Sequence, residues 1–329
     1  MRLSMNALTV ITYVRTAFNV VSILAVLMLC DCAQSVGSRA VPDGRTIGLP
    51  AAQPANVKQQ QLFISTYRTN HGWGEILLFG YPSGTYSGSL PAPPEGYNGP
   101  AGECRDTSGN VYFANEGALT IDEYTGEGKF VRSLSDGQLA PTACSFSPST
   151  GDLAAVNAIG SSGTPPASIS IFRGADGPPK IITSPYFFTI TYLSYDRLGN
   201  LFFDGSQSQV GTDQYGEIPK GSSMIERVSF NERIYPEQLQ FDGEHMAIGS
   251  VHGTIYQADG RNIVRAIKLK DGVAPFFIAG DRILTLNGPK KNQYTVQVYK
   301  YPEGGAPLQG IKLQYYSRGP TAGDIILSH

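Results

Sequence analysis

Residues 141–157 read PTACSFSPSTGDLAAVN, and this stretch contains the pattern that decides the fold. One short strand is followed by a Ser-Pro-Ser-Thr-Gly-Asp turn and then by a second, apolar strand that ends in Asn157. Glycine beside Asp or Asn supplies the positive φ that tight hairpins require. The stretch therefore predicts an antiparallel β-hairpin.

The second strand of this hairpin recurs along the chain, each time followed by another strand and a glycine-bearing turn. The copies are Leu62–Ser65, Val111–Asn115, Leu153–Asn157, Leu201–Asp204, Met246–Ser250 and Ile283–Asn287. The turn glycines from Gly84 to Gly305 give a period of about 44 residues, which is typical of β-propeller blades. The sequence thus predicts an all-β fold, a six-bladed β-propeller of four-stranded antiparallel blades.

The two ends of the repeat region predict how the ring closes. The first repeat lacks the innermost strand that precedes the others, whereas the last apolar strand of the chain, Gly323–Ser328, has no hairpin of its own. Pairing the C-terminal strand into the first blade would remove the exposed sheet edges at both ends. A seven-bladed propeller is the alternative, and it would need an additional hairpin.

The composition excludes several classes of protein. The chain has 329 residues, with 25 Lys and Arg against 27 Asp and Glu and a net charge of −2. Nucleic-acid binders need an excess of basic charge to displace counterions from phosphates, so no nucleic-acid partner is expected. The 38 glycines, 22 prolines and only 16% charged residues also disfavour a helical bundle. We expect a monomer.

The N-terminal region predicts export. Residues 1–33 contain two arginines ahead of a 13-residue uncharged run, Ala17–Leu29, which suits a signal peptide and is too short to span a bilayer. Cys30 follows a sequence that resembles a bacterial lipobox, so a lipoprotein signal is the alternative to simple cleavage near Cys32 or Ala33. A lipid on Cys30 would be the only membrane contact.

Residues 34–60 are polar and rich in Pro, Gly and Ala, which predicts a flexible linker. The propeller domain is expected over residues 61–329, in an extracytoplasmic compartment.

Cys104 and Cys144 are the cysteines of the folded region. They occupy near-equivalent positions at the start of the innermost strands of adjacent repeats. Such strands lie close together around a propeller axis, so a disulfide bond is expected, and it would persist outside the cytoplasm. The alternatives are two buried thiols or a metal-binding pair.

A family resemblance rests on two motifs, Pro141-x-x-Cys144-x-Phe-x-Pro148-x-x-Gly151-Asp152-Leu153 and Asp196-x-x-Gly199-Asn200-Leu201-Phe202. Together with the Tyr-Pro-x-Gly turns, they resemble exported bacterial NHL-type six-bladed propellers over residues 61–329. The resemblance implies a propeller fold and export. It does not imply an activity, because one fold supports many functions.

The loops give the main functional hypothesis. Long connections follow several of the apolar strands, and loops on a rigid scaffold commonly carry binding residues. The single Trp, Trp73, lies in the first of them beside Tyr67 and His71. We therefore expect a non-catalytic binding or interaction module that recognises a glycan, a peptide or an envelope protein through loops on one face.

Asn115, Asn157 and Asp204 end apolar strands and are further binding candidates. In a gluconolactonase-type propeller, Asn, Asp and Glu from different blades would hold a Ca²⁺-like ion on the axis, because this ion prefers oxygen ligands. A metal-dependent lactonase or esterase is therefore the alternative function. No cofactor, metal ligand or catalytic residue is assigned, because the gluconolactonase motifs and a Gly-x-Ser-x-Gly elbow are not recognisable in the sequence.

Overall fold

The computed structural model describes residues 60–66, 74–137, 139–157, 167–183, 186–207, 213–250, 252–271, 276–290, 293–314 and 322–327. The predicted signal at 1–33, with Cys30, and all of the predicted linker except Gln60 lie outside these residues. Within them, the only helix is a 3₁₀ turn, Arg173–Ala175, and no helix is long and apolar enough to cross a membrane.

The described residues form 24 strands in six antiparallel sheets. The strands are β1 (Gln61–Thr66), β2 (Glu75–Gly80), β3 (Thr85–Ser89), β4 (Pro100–Arg105), β5 (Val111–Asn115), β6 (Thr120–Tyr124), β7 (Phe130–Ser135), β8 (Pro141–Phe146), β9 (Leu153–Asn157), β10 (Ser168–Phe172), β11 (Lys180–Thr183), β12 (Thr189–Tyr195), β13 (Leu201–Ser206), β14 (Asp213–Ile218), β15 (Glu226–Val228), β16 (Pro236–Phe241), β17 (Met246–Ser250), β18 (Thr254–Asp259), β19 (Asn262–Lys268), β20 (Phe276–Ala279), β21 (Arg282–Lys290), β22 (Gln293–Lys300), β23 (Gly304–Lys312) and β24 (Ala322–Leu327).

The sheets are the blades of a six-bladed propeller, which confirms the predicted fold. Blade 1 has the order β24-β1-β2-β3, and blades 2 to 6 follow as consecutive groups of four strands from β4 to β23. We call the strands of each blade inner, second, third and outer, counted from the axis. The C-terminal strand β24 is the inner strand of blade 1, with Leu62 opposite Leu327 and Ile64 opposite Ile325. This pairing closes the ring as predicted, and the seven-bladed alternative is wrong.

A register shift near the start of the inner strand occurs in blades 1 to 5. In blade 2, for example, Pro100 lies opposite Asn115, whereas Glu103 lies opposite Phe113, so the inner strand bulges between them. Bulges bend a strand and increase its local twist. At Gly102, inside this bulge, a Cβ atom would lie 2.7 Å from the carbonyl oxygen of Thr142 in the next blade. The bulge therefore brings neighbouring inner strands close together.

The apolar core lies between adjacent blades. One cluster, between blades 2 and 3, contains Tyr112, Leu153 and Phe172, all buried. It also contains Cys104 and Cys144, which form a disulfide bond with a Cα–Cα distance of 5.5 Å. The predicted bond is confirmed, and the alternatives of free thiols and a metal pair are wrong.

Polar side chains join the free backbone edges of the inner strands to the neighbouring blades. The hydrogen bonds run from Tyr195 N to Ser145 Oγ, from Phe241 N to Ser194 Oγ, from Phe276 N to Gln238 Oε1, from Ile278 N to Gln240 Oε1, from Gln240 Nε2 to Ile278 O and from Arg105 Nη1 to Leu327 O. An edge strand without such partners would leave backbone groups unpaired. These side chains replace the neighbouring strand that the inner edges lack.

Candidate functional site

The face at which second strands end and third strands begin is the candidate functional face, and we call it the upper face. The chain leaves blade 1 there at Thr66 and returns at Glu75. The predicted binding residues Tyr67, His71 and Trp73 belong to this connection and lie outside the described residues, so their roles remain predictions.

Asn115 and Asn157 are the last residues of β5 and β9, as expected, and both are fully buried. Asn115 accepts a hydrogen bond from Asn98 N at 2.9 Å and donates to the carbonyl oxygen of Gly96 at 3.0 Å. Asn157 donates to two serine hydroxyls of β10. Both amides therefore hold structure inside the blades.

Asp204 does not end its strand, contrary to the sequence interpretation. The second strand of blade 4 continues to Ser206, because Gly205 and Ser206 still pair with β14. Asp204 is buried, and its Oδ1 accepts a hydrogen bond from Tyr192 N at 2.7 Å. Tyr192 lies within the register shift of the inner strand, so Asp204 supports the bulge of blade 4.

A repeated polar motif occurs at the upper face of blades 2, 3 and 6. In each copy, an Asn on the second strand pairs with a Ser or Thr on the third strand. A second polar residue lies two positions after that Ser or Thr, on the same strand. An acidic residue comes from the connection that leads from the preceding blade into this one. The four residues are Glu95, Asn115, Thr120 and Asp122 in blade 2, Asp136, Asn157, Ser168 and Ser170 in blade 3, and Asp271, Asn287, Thr295 and Gln297 in blade 6.

In blade 2 the motif is closed by internal hydrogen bonds. Asp122 accepts from Asn115 Nδ2 at 2.9 Å and from Thr120 Oγ1 at 3.0 Å, and Thr120 Oγ1 also lies 3.3 Å from Glu95 Oε1. Burial raises the pKa of Asp122 to about 6, although hydrogen bonds from Ser133, Asn115 and Thr120 oppose this shift. The side chains of Asn115, Thr120 and Asp122 therefore bond one another, and only Glu95 of this copy is exposed.

In blade 6 the same motif is open. Asp271, Asn287, Thr295 and Gln297, together with Gly288, line a pocket of about 270 Å³ on the side of blade 6 that faces blade 5. Asn287, Thr295 and Gln297 are half-buried, and their side chains form no hydrogen bond within the described part of the chain. Three polar side chains are thus available to a ligand, and Asp271 is exposed at the rim.

The sequence analysis missed this pocket, although a weak signal was present. Thr120-x-Asp122, Ser168-x-Ser170 and Thr295-x-Gln297 each place two polar residues on one face at the start of a third strand. The pattern was hidden because one position varies between acid, hydroxyl and amide. Pairing of Asn287 with Thr295 makes the equivalence of the three copies visible.

Among the described residues, no group of three or more His, Cys, Asp and Glu side chains is placed to hold a metal ion. The sequence-based alternative of a metal-dependent lactonase or esterase stays a hypothesis.

Comparisons with known proteins bear on the fold. No protein-family model matches the sequence, and no curated protein matches it. Among solved structures, hydrazine synthase from Kuenenia stuttgartiensis is similar, with a TM-score of 0.54 and 15% sequence identity, covering 70% of this chain and 78% of that chain. At this identity the likeness shows the propeller fold alone. The NHL type and export stay predictions.

Proposed function

We propose that this protein is an exported propeller that binds a glycan in the pocket of blade 6. The observation that carries the proposal is the contrast between equivalent polar motifs. The side chains of the motif in blade 2 bond one another, whereas those of Asn287, Thr295 and Gln297 line a pocket and form no hydrogen bond with any residue that the structure describes. Unpaired polar groups in a preformed pocket favour a ligand that supplies the missing hydrogen bonds.

The chemistry of the lining favours hydroxyl groups as ligands. Two amides supply both donors and acceptors, and Thr295 can do either. Asp271 brings a negative charge to the rim, which disfavours anionic ligands. A volume of about 270 Å³ lies just below the ~300–1,000 Å³ of pockets for drug-sized ligands, and it suits a single sugar unit of a longer chain.

Two further observations support the proposal. The connection that carries Trp73 leaves blade 1 at the same upper face, and blade 1 adjoins blade 6 through a shared core that includes Leu77 and Leu284. A Trp side chain offers an apolar face and an N–H donor, both of which suit sugar rings. The disulfide between Cys104 and Cys144 supports an oxidising, extracytoplasmic compartment.

The test is a glycan array followed by calorimetric titration of the best neutral oligosaccharide. We expect Asn287→Ala and Thr295→Ala to weaken binding at least about tenfold, because each removes a hydrogen-bonding group from the pocket. Gln309→Ala on the outer strand β23 is the matched control, since Gln309 is exposed and lies outside the pocket lining. If no glycan binds above background, or if both pocket variants bind like the wild type, the proposal fails.

A further inference from the structure

Asp136 is a fully buried carboxylate at the interface between blades 2 and 3. It directly follows the outer strand β7, and backbone hydrogen bonds fix it there, from its own N–H to Leu119 O at 3.1 Å and from Leu139 N to its carbonyl oxygen at 3.1 Å. Neither carboxylate oxygen accepts a hydrogen bond within the described residues. No Lys or Arg forms an ion pair with it there.

A second unpartnered oxygen belongs to the same site. Asn157 is also fully buried, and its Nδ2 donates to Ser168 Oγ at 3.2 Å and to Ser170 Oγ at 2.8 Å. Its Oδ1 has no partner among the described residues. Because the amide donors serve the two serines, Asn157 presents its oxygen as the free group.

The two residues face one common polar site. Burial, the larger effect, raises the pKa of the Asp136 carboxyl group, whereas Ser170 and Asn157 lie near enough to lower this pKa as polar neighbours, although neither reaches hydrogen-bond geometry. The site therefore contains the two carboxylate oxygens and the Ser170 hydroxyl oxygen, with the Asn157 side chain beside them. Every one of these atoms can act as a ligand for a hard cation.

We infer that the Asp136–Asn157 site binds a sodium ion between blades 2 and 3. A buried carboxylate with no donor in hydrogen-bond geometry and no counter-charge among the described residues is unfavourable, and one monovalent cation would neutralise it. A divalent ion would leave an excess positive charge in a buried site with a single acid. The inference does not depend on the glycan pocket, which lies in blade 6.

The equivalent site in blade 2 explains why only one such ion is expected. There, Asp122 lies on the third strand and receives hydrogen bonds from Asn115 and Thr120, so its carboxylate already has partners. In blade 3 the third strand carries Ser170 at that position, and the acid comes from the preceding connection. As a result, no described residue donates a hydrogen bond of normal geometry to the acid of blade 3.

The test compares thermal unfolding at pH 8 in sodium chloride, calcium chloride and choline chloride at constant ionic strength. Choline is too large for a buried site. We expect the unfolding midpoint of the wild type to be about 2–4 °C higher in sodium chloride than in choline chloride. Asp136→Asn should abolish this difference, and Ser170→Ala, which keeps the acid, should reduce it.

Asp122→Asn is the matched control, because it removes an equally buried acid that has internal donors, and its sodium response should equal that of the wild type. The inference is overturned if the wild-type midpoint is the same in all three salts, or if calcium alone raises it. It is also overturned if Asp136→Asn keeps the full sodium response. A failure of glycan binding would leave these results unchanged, so the two proposals are separable.

Discussion

The side-chain amide of Gln240 forms two hydrogen bonds with the backbone of Ile278, accepting from its N–H at 2.7 Å and donating to its carbonyl oxygen at 2.9 Å. Gln240 belongs to the inner strand of blade 5 and Ile278 to that of blade 6. Two such bonds to one residue reproduce the pairing that an adjacent antiparallel strand would provide. One side chain thereby joins two blades at the axis.

Gln240→Ala should destabilise the protein by about 2–3 kcal/mol, because it leaves an N–H and a carbonyl of β20 without partners. Gln309→Ala on the exposed side of β23 is the control and should change the free energy of unfolding by less than about 0.5 kcal/mol. Urea denaturation of both variants measures the effect. Equal stabilities would show that the inner edge of blade 6 does not need the Gln240 amide.

Asn115 and Asn287 occupy the same position of the repeated motif, but replacement by Ala should reduce stability at Asn115 and glycan binding at Asn287. Asn115→Ala should cost about 2–3 kcal/mol, since the buried amide bonds Asn98, Gly96 and Asp122. Asn287→Ala should leave stability almost unchanged and reduce glycan binding. Thermal unfolding and calorimetric titration of the two variants test the contrast, and a large loss of stability in Asn287→Ala would contradict it.

In choline chloride, where no sodium is present to bind Asp136, the free energy of unfolding should fall as the pH rises from about 4 to about 7. Burial raises the pKa of Asp136 to about 7 and that of Asp122 to about 6, whereas an unfolded Asp titrates near ~3.9. The native state therefore binds protons more tightly than the unfolded state, so this contribution is complete at low pH and is lost as the carboxyls ionise.

Asp136→Asn should remove the larger part of this decline. Between pH 5 and pH 8 in choline chloride, we expect the variant to gain on the order of 3 kcal/mol relative to the wild type. Urea denaturation at the two pH values measures the difference. A variant whose stability parallels that of the wild type at both pH values would show that Asp136 does not titrate in this range.

The disulfide between Cys104 and Cys144 closes a chain segment with a sequence separation of 40 residues. In the chain-entropy description, loss of such a cross-link costs about 4 kcal/mol. Dithiothreitol should lower the unfolding midpoint of the wild type and have no effect on a Cys104→Ala/Cys144→Ala variant. An unchanged wild-type midpoint in reductant would contradict the expected contribution.

The propeller fold could be predicted from the sequence because each blade is formed by residues that are close to one another along the chain. Apolar strands such as Val111–Asn115 and Leu153–Asn157 and the glycine turns between them recur at a constant period, so each blade is specified by its own residues. The closure of the ring by β24 could be predicted because the first repeat lacks an inner strand and the last apolar strand of the chain has no hairpin of its own. The disulfide followed from the equivalent positions of Cys104 and Cys144.

The candidate sites depend on contacts between segments that are distant in sequence, and only the tertiary structure decides them. Asn115, Asn157 and Asn287 look alike in the sequence, yet hydrogen bonds close the blade 2 motif, Asn157 faces an unpaired acid, and Asn287 lines a pocket. The difference arises from which side-chain and backbone groups the preceding connection and the third strand bring to each Asn. Strand periodicity follows from neighbours along the chain, whereas the pairing state of a buried polar group depends on the donors and acceptors that folding places around it.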